Sequence, residues 1–104
     1  MGTEARILNL LGLAAKAGRV ASGGFAVRQA IEKGQAKLLI IAKDGAAETV
    51  AEFRRLAAKY VVKTVAILTK EQLGKSLGKE QRAAVAVLDA GFSEALVKLM
   101  GVER

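Results

Sequence analysis

The chain has 104 residues, of which 52% are hydrophobic and only 4% aromatic. That is enough for a single packed domain over residues 1–104 with an aliphatic core. It contains neither cysteine nor histidine, which excludes disulfides, zinc sites of the Cys/His kind and the nucleophile–histidine catalytic systems. The net charge is +7, the balance of a protein that meets a polyanion.

The charge is unevenly spread. Lys16, Arg19, Arg28, Lys33, Lys37 and Lys43 face Glu32 alone in the first basic stretch, and Lys59, Lys63, Lys70, Lys75, Lys79 and Arg82 face Glu71 and Glu80 in the second. From Ala83 onward acids slightly outnumber bases. Two basic segments and a neutral remainder predict one basic face. The alternative is a uniformly solvated basic surface.

In chain order, Ile7, Leu8, Leu11, Ala14 and Ala15 recur at helical spacing, and Gly18 is placed to end that helix. The apolar run Ile7–Ala15 is too short to span a bilayer. Glu4 before it, and Lys16 and Arg19 after it without a cleavage site, argue for the first helix of a cytoplasmic protein and against a signal peptide. Val20-Ala21 is a short strand candidate. Ser22 is expected to cap a second helix that stops at Gly34. Leu38–Ala42 is a continuous apolar run, the pattern of a strand covered on both faces. Asp44 is expected to cap a third helix running to Lys59, with Val50, Phe53, Leu56, Ala57 and Tyr60 as its buried stripe. Val61–Leu68 contains another strand. Thr69-x-x-Gln72 is a capping box that opens a short helix through Ser76. Ala83–Leu88 is the last strand, and Asp89 or Gly91 opens a final helix with Phe92, Leu96, Leu99 and Met100 on one side.

Helices and strands alternate, so the fold class is α/β, with a small mixed sheet of about four strands between helical layers. Ligands of such sheets bind at strand ends. The loops expected to carry the site are Ser22–Phe25, Lys43–Ala46 and Gly74–Arg82.

Catalytic residues are absent from this reading. Gly74-Lys75-Ser76 has the ending of a phosphate-binding P-loop, but Thr69 stands where that motif needs its first glycine, and no strand–loop–helix frame surrounds it. No Gly-x-Gly-x-x-Gly follows a strand. Asp44 and Asp89 suit helix caps better than acid–base work, and Ser22 has no histidine base. No metal or cofactor is expected. Ser22-Gly23-Gly24 at a helix start does offer free backbone N–H groups and the positive end of the helix dipole, a setting for phosphate.

Several ordered motifs carry a family resemblance. Leu10-Leu11-Gly12-Leu13-Ala14-Ala15-Lys16-Ala17-Gly18-Arg19-Val20-Ala21-Ser22-Gly23 resembles the opening of the bacterial YlxQ proteins, part of the ribosomal-protein superfamily that binds kink-turn RNA. Ala36–Asp44 resembles their second-strand motif, Leu73–Lys79 the Leu-Gly segment before their recognition loop, and Ala84–Phe92 their closing strand and helix start. The similarity covers nearly the whole chain in order. It implies a three-layer α/β/α sandwich that binds RNA and has no enzymatic activity. The protein is expected to be a ribosome-associated cytoplasmic monomer acting on ribosomal or other structured RNA.

In relatives, the helix start reads sheared G·A pairs with the pattern Gly-x-Asn-Glu-x-x-Lys, or Lys-Gln in place of Asn-Glu. Here Gly23 matches the glycine, Phe25 and Ala26 take the polar pair, and Gln29 takes the lysine, with Arg28 one position earlier. Phe25 and Ala26 have no side-chain donors or acceptors for base edges. Phe25 either stacks on an unpaired base, worth about 1–3 kcal/mol, or packs inward as core. The residues thus support RNA binding more strongly than the reading of a kink-turn. The loop that covers an extruded base in relatives is polar here, so Lys79 and Arg82 suit phosphates. Lys43 and Asp44 end the strand beside the site. Lys16 and Arg19 flank the first helix end, where cations also complement the dipole. The residues expected to contact RNA are Lys16, Arg19, Ser22, Gly23, Gly24, Phe25, Ala26, Arg28, Gln29, Lys43, Asp44, Lys79 and Arg82: the backbone N–H groups at Gly23–Gly24, with Arg28, Lys16, Arg19, Lys43, Lys79 and Arg82, hold phosphates, and Phe25 and Gln29 supply base contact. The competing reading is a protein-interaction module whose same surface meets an acidic partner. A nucleotide-binding or catalytic domain is disfavoured by the missing motifs.

Overall fold

The apolar spacing of the first segment closes into a helix with one buried face. In the computed structural model, which describes residues 2–101, α1 spans Thr3–Lys16 and buries Ile7, Leu11 and Ala14. Strand β1 (Val20–Ser22), α2 (Gly24–Glu32), β2 (Leu38–Ile41), α3 (Ala47–Lys59), β3 (Thr64–Ala66), α4 (Lys70–Ser76), β4 (Ala84–Val87) and α5 (Ala90–Met100) follow. Helices α1 and α2 end on Gly18 and Gly34, both with positive φ.

The sheet order is β1-β4-β2-β3. β4 runs antiparallel to both β1 and β2, and β2 and β3 are parallel. β1, β2 and β3 therefore point the same way. Their C-terminal ends, with the N-terminal end of β4, share one edge of the sheet, called here the near end.

Side-chain alternation along the two central strands builds two cores. Leu38, Ile40, Val85 and Val87 face Ile7 and Leu11 of α1, Leu73 of α4 and Leu96 of α5. Leu39, Ile41, Ala84 and Ala86 face Val27, Ala30 and Ile31 of α2 and Phe53 and Ala57 of α3. The result is the expected α/β/α sandwich. Every residue of β2 and β4 is buried, which explains why β2 is continuously apolar rather than alternating. Each large aliphatic side chain withdrawn from water in these layers contributes about 1.5–3 kcal/mol. Small alanines on the α2/α3 face of β4 leave room for Phe53 and Ile31.

Three local expectations need correction. The residue before α2 is Gly23, not Ser22. Gly23 adopts φ 91°, ψ 151°, and no side chain caps the helix; Ser22 remains in β1 and turns its hydroxyl to Arg82. Asp44 does not cap α3, whose N-cap is Ala46. Its Oδ1 instead accepts the Lys70 N–H at the start of α4, at 2.8 Å. Tyr60 is not in the α3 stripe but is exposed at the C-cap. The Thr69/Gln72 capping box and the Asp89 cap on the Phe92 N–H form as the sequence predicts.

Candidate nucleic-acid interface

Four loops meet at the near end of the sheet, and backbone geometry locks them together. The Ala42 N–H donates to the Ala83 carbonyl at 2.8 Å, and the Lys43 N–H to the Leu68 carbonyl at 2.8 Å. The Arg82 N–H donates to the Lys70 carbonyl at 3.1 Å. The Arg82 Nε donates to Ser22 Oγ at 3.3 Å and its Nη1 to the Gln81 carbonyl at 3.0 Å. The segments following β1, β2 and β3 and the one preceding β4 thus form one platform.

The 78–82 loop lies down on α4 because Gly74 lets it. A Cβ at Gly74 would sit 1.8 Å from the Glu80 carbonyl oxygen, and the Lys79 N–H donates to the Gly74 carbonyl at 2.8 Å. An isolated glycine inside a helical pattern is a sign of such close approach. Gly74 and Leu68, a buried leucine held at φ 69° between β3 and α4, are the positioning residues that sequence reasoning missed. The left-handed backbone of Leu68 has no sequence signal at all.

At the start of α2, the first helical bond runs from the Val27 N–H to the Gly23 carbonyl at 3.0 Å. The N–H groups of Gly24, Phe25 and Ala26 come before it and point out of the helix end. Beyond Gly23 and Gly24 the space is open: a Cβ at either would meet nothing within 4 Å. The φ of 91° at Gly23 is a conformation that side chains oppose. A glycine pair here both aims the helix and clears its mouth for an anion.

Phe25 is 72% exposed, which removes the inward-packing alternative. Gln29, one turn on, is exposed on the same face of α2, whereas Ala26 is half-buried. Arg28 is half-buried and its guanidinium pairs with Glu52 of α3. The two side chains are 38% and 50% exposed, so the pair adds little stability, about 0–1 kcal/mol. Lys43, Asp44 and Lys79 are exposed and Arg82 is half-buried.

The expected residues do not all converge. Ser22, Gly23, Gly24, Phe25, Ala26, Lys43, Asp44 and Arg82 cluster at the near end, with Arg28 and Gln29 one turn along α2 and Lys79 in the Arg82 loop. Arg19 lies at the opposite end of the sheet, where its carbonyl accepts the Leu88 N–H at 2.8 Å. Lys16 lines a groove between α1 and α4 with Lys75 and Gly78. The basic residues therefore occupy more than one face.

Among the described residues no group of three or more His, Cys, Asp or Glu side chains is placed to hold a metal ion. Asp44 and Asp89 are engaged as helix caps. No described helix is long and apolar enough to cross a membrane.

Residues 5–97 match the ribosomal protein L7Ae/L30e/S12e/Gadd45 family. The chain is 36% identical over 91 residues to the RNA-binding protein YlxQ of Bacillus subtilis (strain 168), covering 88% of this chain and 91% of that protein. It is 37% identical over 93 residues to the large ribosomal subunit protein eL8 of Nitrosopumilus maritimus (strain SCM1), covering 88% and 73%. A solved structure of a protein of unknown function from Bacillus halodurans superposes with a TM-score of 0.86 at 33% identity, over 91% of this chain and 96% of that one. The 15.5kD RNA binding protein of Giardia lamblia superposes with a TM-score of 0.79 at 20% identity, over 95% and 85%. The latter likeness is one of fold.

Proposed function

Because the chain belongs to the ribosomal protein L7Ae/L30e/S12e/Gadd45 family, we propose that it is a non-catalytic RNA-binding protein that docks structured RNA, ribosomal RNA included, on the near end of its sheet. Relatives named as an RNA-binding protein and as ribosomal subunit proteins support this class. The observation that carries it is the uncapped, glycine-opened start of α2 beside the exposed Phe25 and the Arg82 loop. The N–H groups of residues 24–26 hold a phosphate, and Arg28, Lys43, Lys79 and Arg82 supply further charge. Phe25 stacks on an unpaired base, and Gln29 offers the one amide on that face of the helix. The Asn-Glu type pair that reads sheared G·A edges in relatives is replaced by Phe25 and Ala26. Recognition therefore rests on shape, stacking and phosphates more than on base edges. We place the protein in the cytoplasm as a monomer, one domain over residues 1–104, working without metal or cofactor.

Filter binding with deproteinised ribosomal RNA and with a kink-turn duplex tests this reading. RNA binding predicts affinity that falls steeply with salt, and a shallower slope for Arg28→Ala. Failure of both RNAs to bind at low salt overturns it.

A further inference from the structure

Helix α1 carries more apolar surface than its core contacts use. From Ile7 to Ala15 its one polar side chain is Asn9. Ile7, Leu11 and Ala14 form the buried stripe. Leu8 and Leu10 are half-buried beside it, and Leu13 is 57% exposed. A surface helix ordinarily keeps one apolar stripe against the core and polar residues opposite, whereas a helix apolar all round is covered on both sides. The outer face of α1 is therefore built for a cover that no described element of this chain supplies.

That face borders a groove of about 630 Å³ between α1 and α4. Gly12 lets the two helices come together, since a Cβ there would stand 3.1 Å from the Ser76 carbonyl oxygen. Leu8 and Leu13 line the groove from α1, and Leu77 lines it at the end of α4. Among the described residues its charged lining consists of Lys16 and Lys75, both exposed, with no carboxylate. Leu13 also lines a second hollow with Leu10 and with Leu99 of α5, where Arg6 is the charged residue. Leu13 thus stands between two apolar hollows edged by three cations. Glu4 and Glu71 lie outside both linings, and Glu4 Oε1 accepts the Gln72 side-chain amide at 3.0 Å.

We propose that the α1/α4 groove docks an amphipathic helix of an acidic protein partner, whose apolar stripe covers Leu8, Leu13 and Leu77 and whose flanking carboxylates meet Lys16, Lys75 and Arg6. Both walls are helices with their main-chain groups bonded internally, so an extended segment finds no strand edge to join, whereas a helix lays its side chains between α1 and α4. Leu8 to Lys16 spans about 12 Å of helix, so about two turns of the occupant make the contact. A second copy of this chain, with its net charge of +7, complements a basic edge poorly, and RNA brings no apolar stripe for Leu13. Helices α1 and α4 lie across the sheet from α2, so the partner leaves Phe25 and the start of α2 open. Docking here is independent of RNA at the near end.

The test titrates the isotope-labelled whole protein at low salt with three synthetic peptides of about 18 residues, long enough to form a helix. One carries leucines at helical spacing with glutamates on the opposite face, the second has lysines for the glutamates, and the third scrambles the first. The expected result is that the amphipathic glutamate peptide alone binds, shifting the backbone amide resonances of Gly12, Leu13 and Leu77. Leu13→Glu, at an exposed position, is expected to weaken that binding about tenfold or more, as loss of an interface anchor does. Lys16→Gln/Lys75→Gln is expected to reduce its dependence on salt. No binding of the glutamate peptide, equal binding of all three, or shifts confined to the start of α2 and the Arg82 loop overturns the proposal. Deproteinised ribosomal RNA that shifts the Leu13 and Leu77 amides assigns the groove to RNA and overturns it as well. So does a concentration-dependent dimer in sedimentation that Leu13→Glu abolishes, which makes the occupant a second copy of this chain.

Discussion

Arg82 donates from Nε to the Ser22 hydroxyl at 3.3 Å, joining positions 60 residues apart. This contact holds the loop before β4 against the end of β1, so that the guanidinium stands beside the uncapped start of α2. Arg82 therefore ties two loops together and, in the proposed site, also supplies a charge for phosphate, and the two can be separated. Arg82→Ala is expected to weaken RNA binding and to make the salt slope shallower by about 0.7–0.9, one phosphate contact. Ser22→Ala removes the tie and no charge, so the slope should hold. Equal slopes for wild type and Arg82→Ala in filter-binding titrations would show that Arg82 only braces the loop.

Phe25 exposes 72% of its surface, so the fold gains little from it. Phe25→Ala is expected to change unfolding free energy by less than about 0.5 kcal/mol, as for surface positions generally. Loss of a stacking platform should cost about 1–3 kcal/mol of RNA affinity. Phe25→Tyr, which keeps the ring, should bind nearly as wild type. Chemical denaturation and RNA titration on the same preparations check both halves. A Phe25→Ala protein that binds RNA with undiminished affinity removes stacking from the mechanism.

Gly74 sets two effects against each other. Alanine is favoured over glycine in a helix interior by about 1 kcal/mol. Against that, a Cβ here would stand 1.8 Å from the Glu80 oxygen and 2.5 Å from its carbonyl carbon, both backbone atoms. Backbone yields less readily than a side-chain end, so the clash wins. Gly74→Ala is expected to lower stability by about 1–3 kcal/mol, the usual penalty of overpacking. It should also reduce RNA affinity, because the loop carrying Lys79 and Arg82 has to lift off α4. A thermal melt together with an RNA titration reads both. Wild-type values in both would mean that the loop shifts freely.

The residues read most directly from the sequence were those whose structure depends on near neighbours. The apolar periodicities of α1, α3 and α5, the continuous run of β2, the Thr69/Gln72 box and the Asp89 cap all involve partners within a few positions, and all formed, except that Tyr60 falls past the end of α3 and is exposed. What went astray depended on distant partners. Ser22 and Asp44 have the chemistry of N-caps for the helices that follow them, but Arg82 and the Lys70 N–H claim them across the near end. Arg19 sits close in sequence to Gly23, yet β1 separates them and sets Arg19 at the far end beside Leu88. A strand of three residues is about 10 Å long, enough to turn a sequence neighbour into part of another surface. The basic segments were visible as composition; their division between two ends of the sheet needed the register.

Val61 closes α3 in a way its sequence resists. Its φ is 57°, and the Val61 and Val62 N–H groups donate to the Ala58 and Ala57 carbonyls at 3.2 and 2.8 Å, the pattern that usually employs glycine at this position. For an L-residue the left-handed conformation costs roughly 1–2 kcal/mol, and a β-branched side chain suits it least. Val61 is 89% exposed, so burial offsets none of that cost. Val61→Gly relieves the strain but widens the conformational freedom of the unfolded chain, a loss of about 0.5–1 kcal/mol judged by glycine in regular structure. The strain is the larger quantity, so the variant is expected to gain about 0.5–1 kcal/mol. For a chain of this size, the melting temperature should rise by roughly 2–8 °C. Differential scanning calorimetry checks it, and a melting temperature at or below that of wild type would mean that the exposed valine makes compensating contacts at the end of α3.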